Sequence, residues 1–109
     1  MHLLLALMQG YLRLRLEESQ KALEALECEP RRSILVLLAD GPLASGDIYR
    51  GLLSMGTQTK EKSTFYYHLS KLREAGLIRV RNTLEGAGKP ERVWELACNG
   101  VCFEFSTSG

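Results

Sequence analysis

The stretch Ser63–Arg81, STFYYHLSKLREAGLIRVR, decides how the rest of the chain is read. Phe65, Leu69 and Leu72 recur four and three residues apart, which puts them on one face of a helix. At about 100° per residue, Lys60, Ser63, Thr64, Tyr67, Ser70 and Lys71 fall on the opposite side and leave a polar, aromatic face free. Tyr66 and His68 flank the apolar face. Gly76 supplies a left-handed stop, against which Leu77 can fold back. Leu77, Ile78 and Val80 then interleave with Arg79 and Arg81, the pattern of a half-buried basic strand.

Working outward, Asn82 to Pro90 contains Gly86 and Gly88 and reads as a loop, and Val93, Trp94 and Leu96 make a returning strand. Upstream, Pro30 marks a helix start and Ile34 to Leu38 reads as a buried helix. Asp40-Gly41-Pro42 stops that helix, and Leu43 starts a very short strand. Ser45 is expected to cap a third helix, with Asp47 in its positive first turn and Ile48, Leu52 and Met55 facing inward. Gly56 ends it. Thr57-Gln58-Thr59 makes a turn, with Thr59 capping a fourth helix from about Lys60 to Ala75. A helix, a turn, a second helix with a free polar face and a basic hairpin define the fold class: mainly α with a small β-hairpin wing (α+β), a winged helix-turn-helix domain.

Residues 2–27 contain no proline and one glycine, and their apolar spacing predicts an extra N-terminal helix. Leu5, Met8, Leu12, Leu16, Leu23 and Leu26 form one stripe, and Leu3, Leu7, Tyr11 and Leu14 a second. Two stripes exceed what a lone surface helix needs, so a partner subunit is expected on Leu5, Met8, Leu12 and Leu16. The resulting division is 1–28 as the N-terminal helix and dimerisation element, 29–97 as the winged helix-turn-helix domain, and 98–109 as a short tail. In that tail Val101, Phe103 and Phe105 alternate as in a strand, and the end is expected to fray.

The chain of 109 residues carries a net charge of only +1, but the charge is unevenly spread. Residues 57–92 hold eight basic and four acidic side chains, against six and seven in residues 1–56 and none and two in residues 93–109. Positive charge is concentrated on the segment that would face phosphate. Three cysteines, an odd number, do not suggest a secreted disulfide scaffold. The pair Cys98 and Cys102 has no nearby histidine and reads poorly as a metal site, and Cys28 reads as a buried small hydrophobe. The run MHLLLALM lacks the features of a signal peptide, and no stretch reaches the ~18 apolar residues of a membrane span. A cytoplasmic location is expected. No paired carboxylates, catalytic triad or phosphate loop is present, so an enzyme is not expected. His68, beside Leu69 and Leu72, reads as a hydrogen-bonded structural histidine, and Tyr66 and Trp94 as packing residues with a polar edge.

Residues from about Leu26 to Leu96 resemble the winged-helix repressors of the ArsR type. The resemblance rests on GPLASGDIY, on STFYYHLSKLREAGLIRVR and on GKPERVWELA. The PadR type is the close second, through GPL, LSKLREAGLI and a basic-proline pair followed by an aromatic strand. The stretch GDIYRGL has neither cysteine nor histidine, so the metal-sensing Cys-x-Cys pair of the best-known ArsR proteins is absent. The turn from Met55 to Lys62 is longer than the family's usual one. The tail does not read as the C-terminal dimer helix of both types, which leaves dimerisation to the N-terminal helix.

Recognition in a major groove needs polar side chains that reach base edges, flanked by groups that grip phosphate. Thr59, Lys60, Lys62, Ser63, Thr64, Tyr67 and Lys71 are the candidates on the recognition helix. Ser63, Thr64 and Tyr67 are assigned to base edges, and Lys60, Lys62 and Lys71 to phosphates. Arg79, Arg81, Lys89 and Arg92 are the candidates on the wing. The expected function is that of a homodimeric transcriptional regulator, a repressor, on double-stranded DNA, with no cofactor and no metal or small-molecule effector expected. The alternative is a winged helix used as a protein-interaction module.

Overall fold

The computed structural model describes residues 10–57, 61–86 and 88–105. Within them the helices are α1 (Gln20–Leu26), α2 (Glu29–Leu38), α3 (Ser45–Ser54) and α4 (Lys62–Glu74). The strands are β1 (Tyr11–Arg15), β2 (Leu43–Ala44), β3 (Ile78–Leu84), β4 (Glu91–Leu96) and β5 (Gly100–Glu104). The architecture is a winged helix-turn-helix, as the sequence predicts.

The core gathers the expected faces. Ile34 and Leu38 of α2, Ile48 and Leu52 of α3, and Phe65, Leu69 and Leu72 of α4 are buried together with Leu77, Ile78 and Trp94. Helix α4 ends in a Schellman motif: Leu77 N–H donates to Leu72 O at 3.0 Å and Gly76 N–H to Arg73 O at 2.9 Å. Gly76 has φ of +78°, the conformation that the sequence position of a glycine stop implies. The chain then turns directly into β3. Antiparallel β2, β4 and β3 form one sheet, in that order, with β4 in the middle.

Three local expectations are corrected. Met55 closes α3 half-exposed rather than facing inward, and Val36 is 61% exposed although it lies within the apolar run of α2. The N-cap of α3 is Ala44, whose side chain cannot cap, and Ser45 is the first helical residue. The Ser45 hydroxyl is engaged elsewhere, as described below.

The larger correction concerns the N-terminus. Over the described part of residues 2–27 there is no continuous helix. Tyr11–Arg15 is a strand, Leu16–Glu18 a single 3-10 turn, and only Gln20–Leu26 is α-helical. The reason is local. YLRLR alternates apolar and charged residues, and β1 pairs in parallel with β5, Leu12 opposite Val101 and Leu14 opposite Phe103. Asn99 N–H donates to Gly10 O at 2.8 Å and ties the start of β1 to the start of β5. The strand read into the tail is β5. Helix α1 turns the small residues Ala22 and Ala25 inward, and Leu23 of the predicted stripe is left 44% exposed. Its last carbonyls are satisfied from α2. Buried Arg31 donates to Ala25 O and Glu24 O, each at 3.0 Å, and Arg32 donates to Leu26 O at 2.7 Å. Of the residues assigned to a dimer contact, Leu12 packs against the chain's own core and Leu16 is 45% exposed, while Leu5 and Met8 lie outside the described residues.

Candidate nucleic-acid interface

Burial of Phe65, Leu69 and Leu72 fixes the roll of α4, so the opposite side must face solvent. Lys62, Ser63, Thr64, Tyr67 and Ser70 are exposed there. Lys71 is half-buried, its Nζ 5.5 Å from the centre of the Tyr67 ring. That cation–π contact holds the two side chains together at one point of the face. Ser63 Oγ donates to Glu61 Oε2 at 3.2 Å, a bond from the first turn of the helix back to its N-cap residue. Thr59 and Lys60 lie outside the described residues. The N-cap of α4 is Glu61, with no side-chain cap bond.

The wing brings two further cations next to α4. Lys89 and Arg92 are exposed and, with Tyr66 of α4, border a cleft of about 590 Å³ whose floor includes Ser45, Glu91 and Trp94. Arg81 marks a β-bulge: Val80 opposes Trp94 and Asn82 opposes Val93, so Arg81 is the extra residue. A bulge bends and twists the strand that carries it, and here it re-aims the wing just where its basic side chain leaves the sheet. Arg79 differs from the other three. Its Nε donates to Glu95 Oε2 at 2.8 Å, an exposed ion pair that partly cancels its charge.

Several residues at this surface have no signal in local sequence. Tyr66, read as a packing residue, is 52% exposed and leans its ring on Phe65, with centroids 5.3 Å apart. Arg73 stacks its guanidinium 6.0 Å over the Trp94 ring. Arg50 of α3, exposed and ion-paired with Asp47, borders a smaller cleft of about 150 Å³ between α3 and α4 with Lys62 and Tyr66. Trp94 is buried and donates to Ser45 Oγ at 3.0 Å, a packing residue with a satisfied polar edge, as its sequence context suggests.

His68 lies behind the exposed face of α4, half-buried, with Nδ1 3.4 Å from Arg31 Nη1. The guanidinium can only donate, so Nδ1 accepts and the ring is neutral with its proton on Nε2. Burial, and then the Arg31 charge, hold its pKa below the usual 6.5.

Comparison with known proteins agrees with this geometry. The family model described as a helix-turn-helix domain matches residues 29–81. Among solved structures, the chain is similar to HlyU from Vibrio cholerae N16961, with 28% identity over 73% of this chain and 75% of that one, and a TM-score of 0.54. It is also similar to Bacillus subtilis PadR, solved in complex with operator DNA, with 29% identity and a TM-score of 0.50. That match covers 59% of this chain and only 37% of PadR. No curated protein sequence matches the chain. Residues 29–81 thus match a helix-turn-helix domain, and together with the hairpin they lead into they give this chain the winged helix-turn-helix fold.

Proposed function

We propose that the protein is a homodimeric transcriptional repressor that binds duplex DNA in a sequence-specific manner, with α4 in the major groove and the wing on the adjacent backbone or minor groove. One observation carries this reading. Lys62, Ser63, Thr64 and Tyr67 are exposed on α4, whose Tyr66 shares a cleft with the exposed wing cations Lys89 and Arg92, and the charge that would grip phosphate is concentrated on this segment. The likeness to PadR, solved in complex with operator DNA, supports DNA binding. Ser63, Thr64 and Tyr67 are assigned to base edges. Lys60, Lys62 and Lys71 are assigned to phosphates, and Thr59 is kept as a DNA contact. Arg79 is the weakest wing contact because Glu95 already engages it. Repression would follow from occupying promoter sequence in the cytoplasm.

Dimerisation is assigned to the N-terminal segment, through Leu5, Met8 and Leu16, with Leu12 supporting from the domain's own core. Exposed Leu16 and Phe105, at the ends of the β1–β5 ribbon, favour a protein contact there. The same exposed residues would serve a winged helix that acts as a protein-interaction module, and the two readings separate on the wing. Substituting Arg81, Lys89 and Arg92 weakens DNA binding in the first and leaves a protein complex intact in the second. For the recognition helix, a Tyr67→Ala/Lys71→Ala double variant should lose specific binding to a selected duplex while its circular dichroism and melting stay native. Unchanged affinity in that folded variant would remove α4 from the interface.

A further inference from the structure

We infer that Glu91, the first residue of β4, is a positioning residue that sets the angle of the wing against the helix-turn-helix by capping α3 from outside that helix. The inference rests on the DNA-binding reading for its consequence and on hydrogen bonds alone for its geometry. Helix α3 opens at Ala44, which offers no side-chain acceptor, so its first amides need partners from elsewhere. Gly46 N–H finds one in Glu91 Oε2 at 2.9 Å. A negative carboxylate at the positive end of a helix is favourable twice over, as a charge-assisted hydrogen bond and as a partner of the helix dipole. A Cβ at residue 46 would stand 2.9 Å from the same oxygen, so a larger residue there would push the Glu91 carboxylate aside.

The neighbouring contacts run between the same two segments. Ser45 Oγ donates to Arg92 O at 3.3 Å and accepts from Trp94 Nε1 at 3.0 Å. Residues 91, 92 and 94 of the returning strand are thereby fastened to residues 45 and 46 at the head of α3. Trp94 and Ser45 are buried and anchor the base of the hairpin, whereas Glu91 stands at the point where β4 meets the wing loop. It is the outermost fastening, and the one that governs how Lys89 and Arg92 lie against α4. Among the described residues Glu91 has no lysine or arginine within ion-pair distance; Arg50, its neighbour across Gly46, is paired with Asp47.

Charge and position make opposite demands on this residue. A carboxylate in a cleft lined by Lys89 and Arg92 repels an approaching phosphate backbone, so by charge alone its removal strengthens DNA binding. By position its removal frees the wing and weakens it. Glutamine separates the two, because its carbonyl oxygen still accepts from Gly46 N–H without the charge.

The test compares the full-length wild type, Glu91→Gln and Glu91→Ala by binding to a labelled duplex, by amide exchange at Gly46 and by residual dipolar couplings of the β3 and β4 amides. In Glu91→Ala, Gly46 should lose protection, the couplings should report a reoriented wing, and affinity should fall about tenfold. Glu91→Gln should restore all three, with affinity equal to or above wild type. An alanine variant that binds as tightly as wild type, with unmoved couplings, overturns the inference and leaves Glu91 as a local cap. A glutamine variant as weak as alanine overturns it too. If the wild type binds no duplex, the DNA reading fails separately, and the couplings alone decide whether Glu91 sets the wing.

Discussion

Protonating His68 would place a second positive charge beside the Arg31 guanidinium, in a half-buried site between α2 and α4. The folded state therefore holds that proton less readily than the unfolded chain does. A depressed histidine pKa contributes stability that is full above the unfolded value of 6.5 and is lost as pH falls below it. We expect the urea midpoint to drop between about pH 7.5 and 5.5, and to drop less in His68→Gln, where an amide oxygen accepts from Arg31 without titrating. Equal slopes in the two proteins would show that His68 is not the group responsible. Gly76 offers a second test at this scale. A Cβ there meets only Leu12 Cδ2, at an ordinary 4.0 Å, so the cost of Gly76→Ala is the backbone's alone, about 1–2 kcal/mol for a left-handed alanine, measurable by urea unfolding. That stop was legible because a glycine after an apolar-periodic run has one dominant meaning. The roles of Ser45 and Glu91 were not legible, because their partners lie more than forty residues away and no local rule favours a cap supplied by another strand.

Elements divide according to whether their partners are near in sequence. Helices α2, α3 and α4 each carry a period near 3.6 over ten or more residues with punctuated ends, and all three emerged where that pattern places them. The N-terminal strand did not. Leu12 and Leu14 satisfy a two-residue period, while Leu12 and Leu16 also satisfy a helical one, and five residues cannot separate the two. What decides is pairing with β5, about ninety residues away, which no local window contains. Within α4, fully buried Leu72 should be the most expensive truncation. Leu72→Ala is expected to cost about 2–5 kcal/mol, a large share of a small domain's stability, as read by thermal or urea melting. In the wing, changing Arg81, Lys89 and Arg92 to alanine should lower the slope of log affinity against log salt by about 0.9 for each phosphate that is no longer neutralised. Arg79→Ala should change that slope less, because its charge is already shared with Glu95.

At the scale of the molecule, α4 and a wing whose returning strand is hydrogen-bonded to the head of α3 carry exposed cations, and the β1–β5 ribbon presents exposed apolar side chains at its ends. Two such surfaces related by a two-fold axis would enter successive major grooves about 34 Å apart. The most direct test is the binding of the full-length protein to a labelled mixed-sequence duplex at about 50 and 200 mM salt, with the mass of the same sample taken by sedimentation. We expect a dimer whose affinity falls on the order of a thousandfold between the two salts. A protein that binds no duplex at the lower salt, or binds it equally at both, would contradict the assignment of α4 and the wing to DNA.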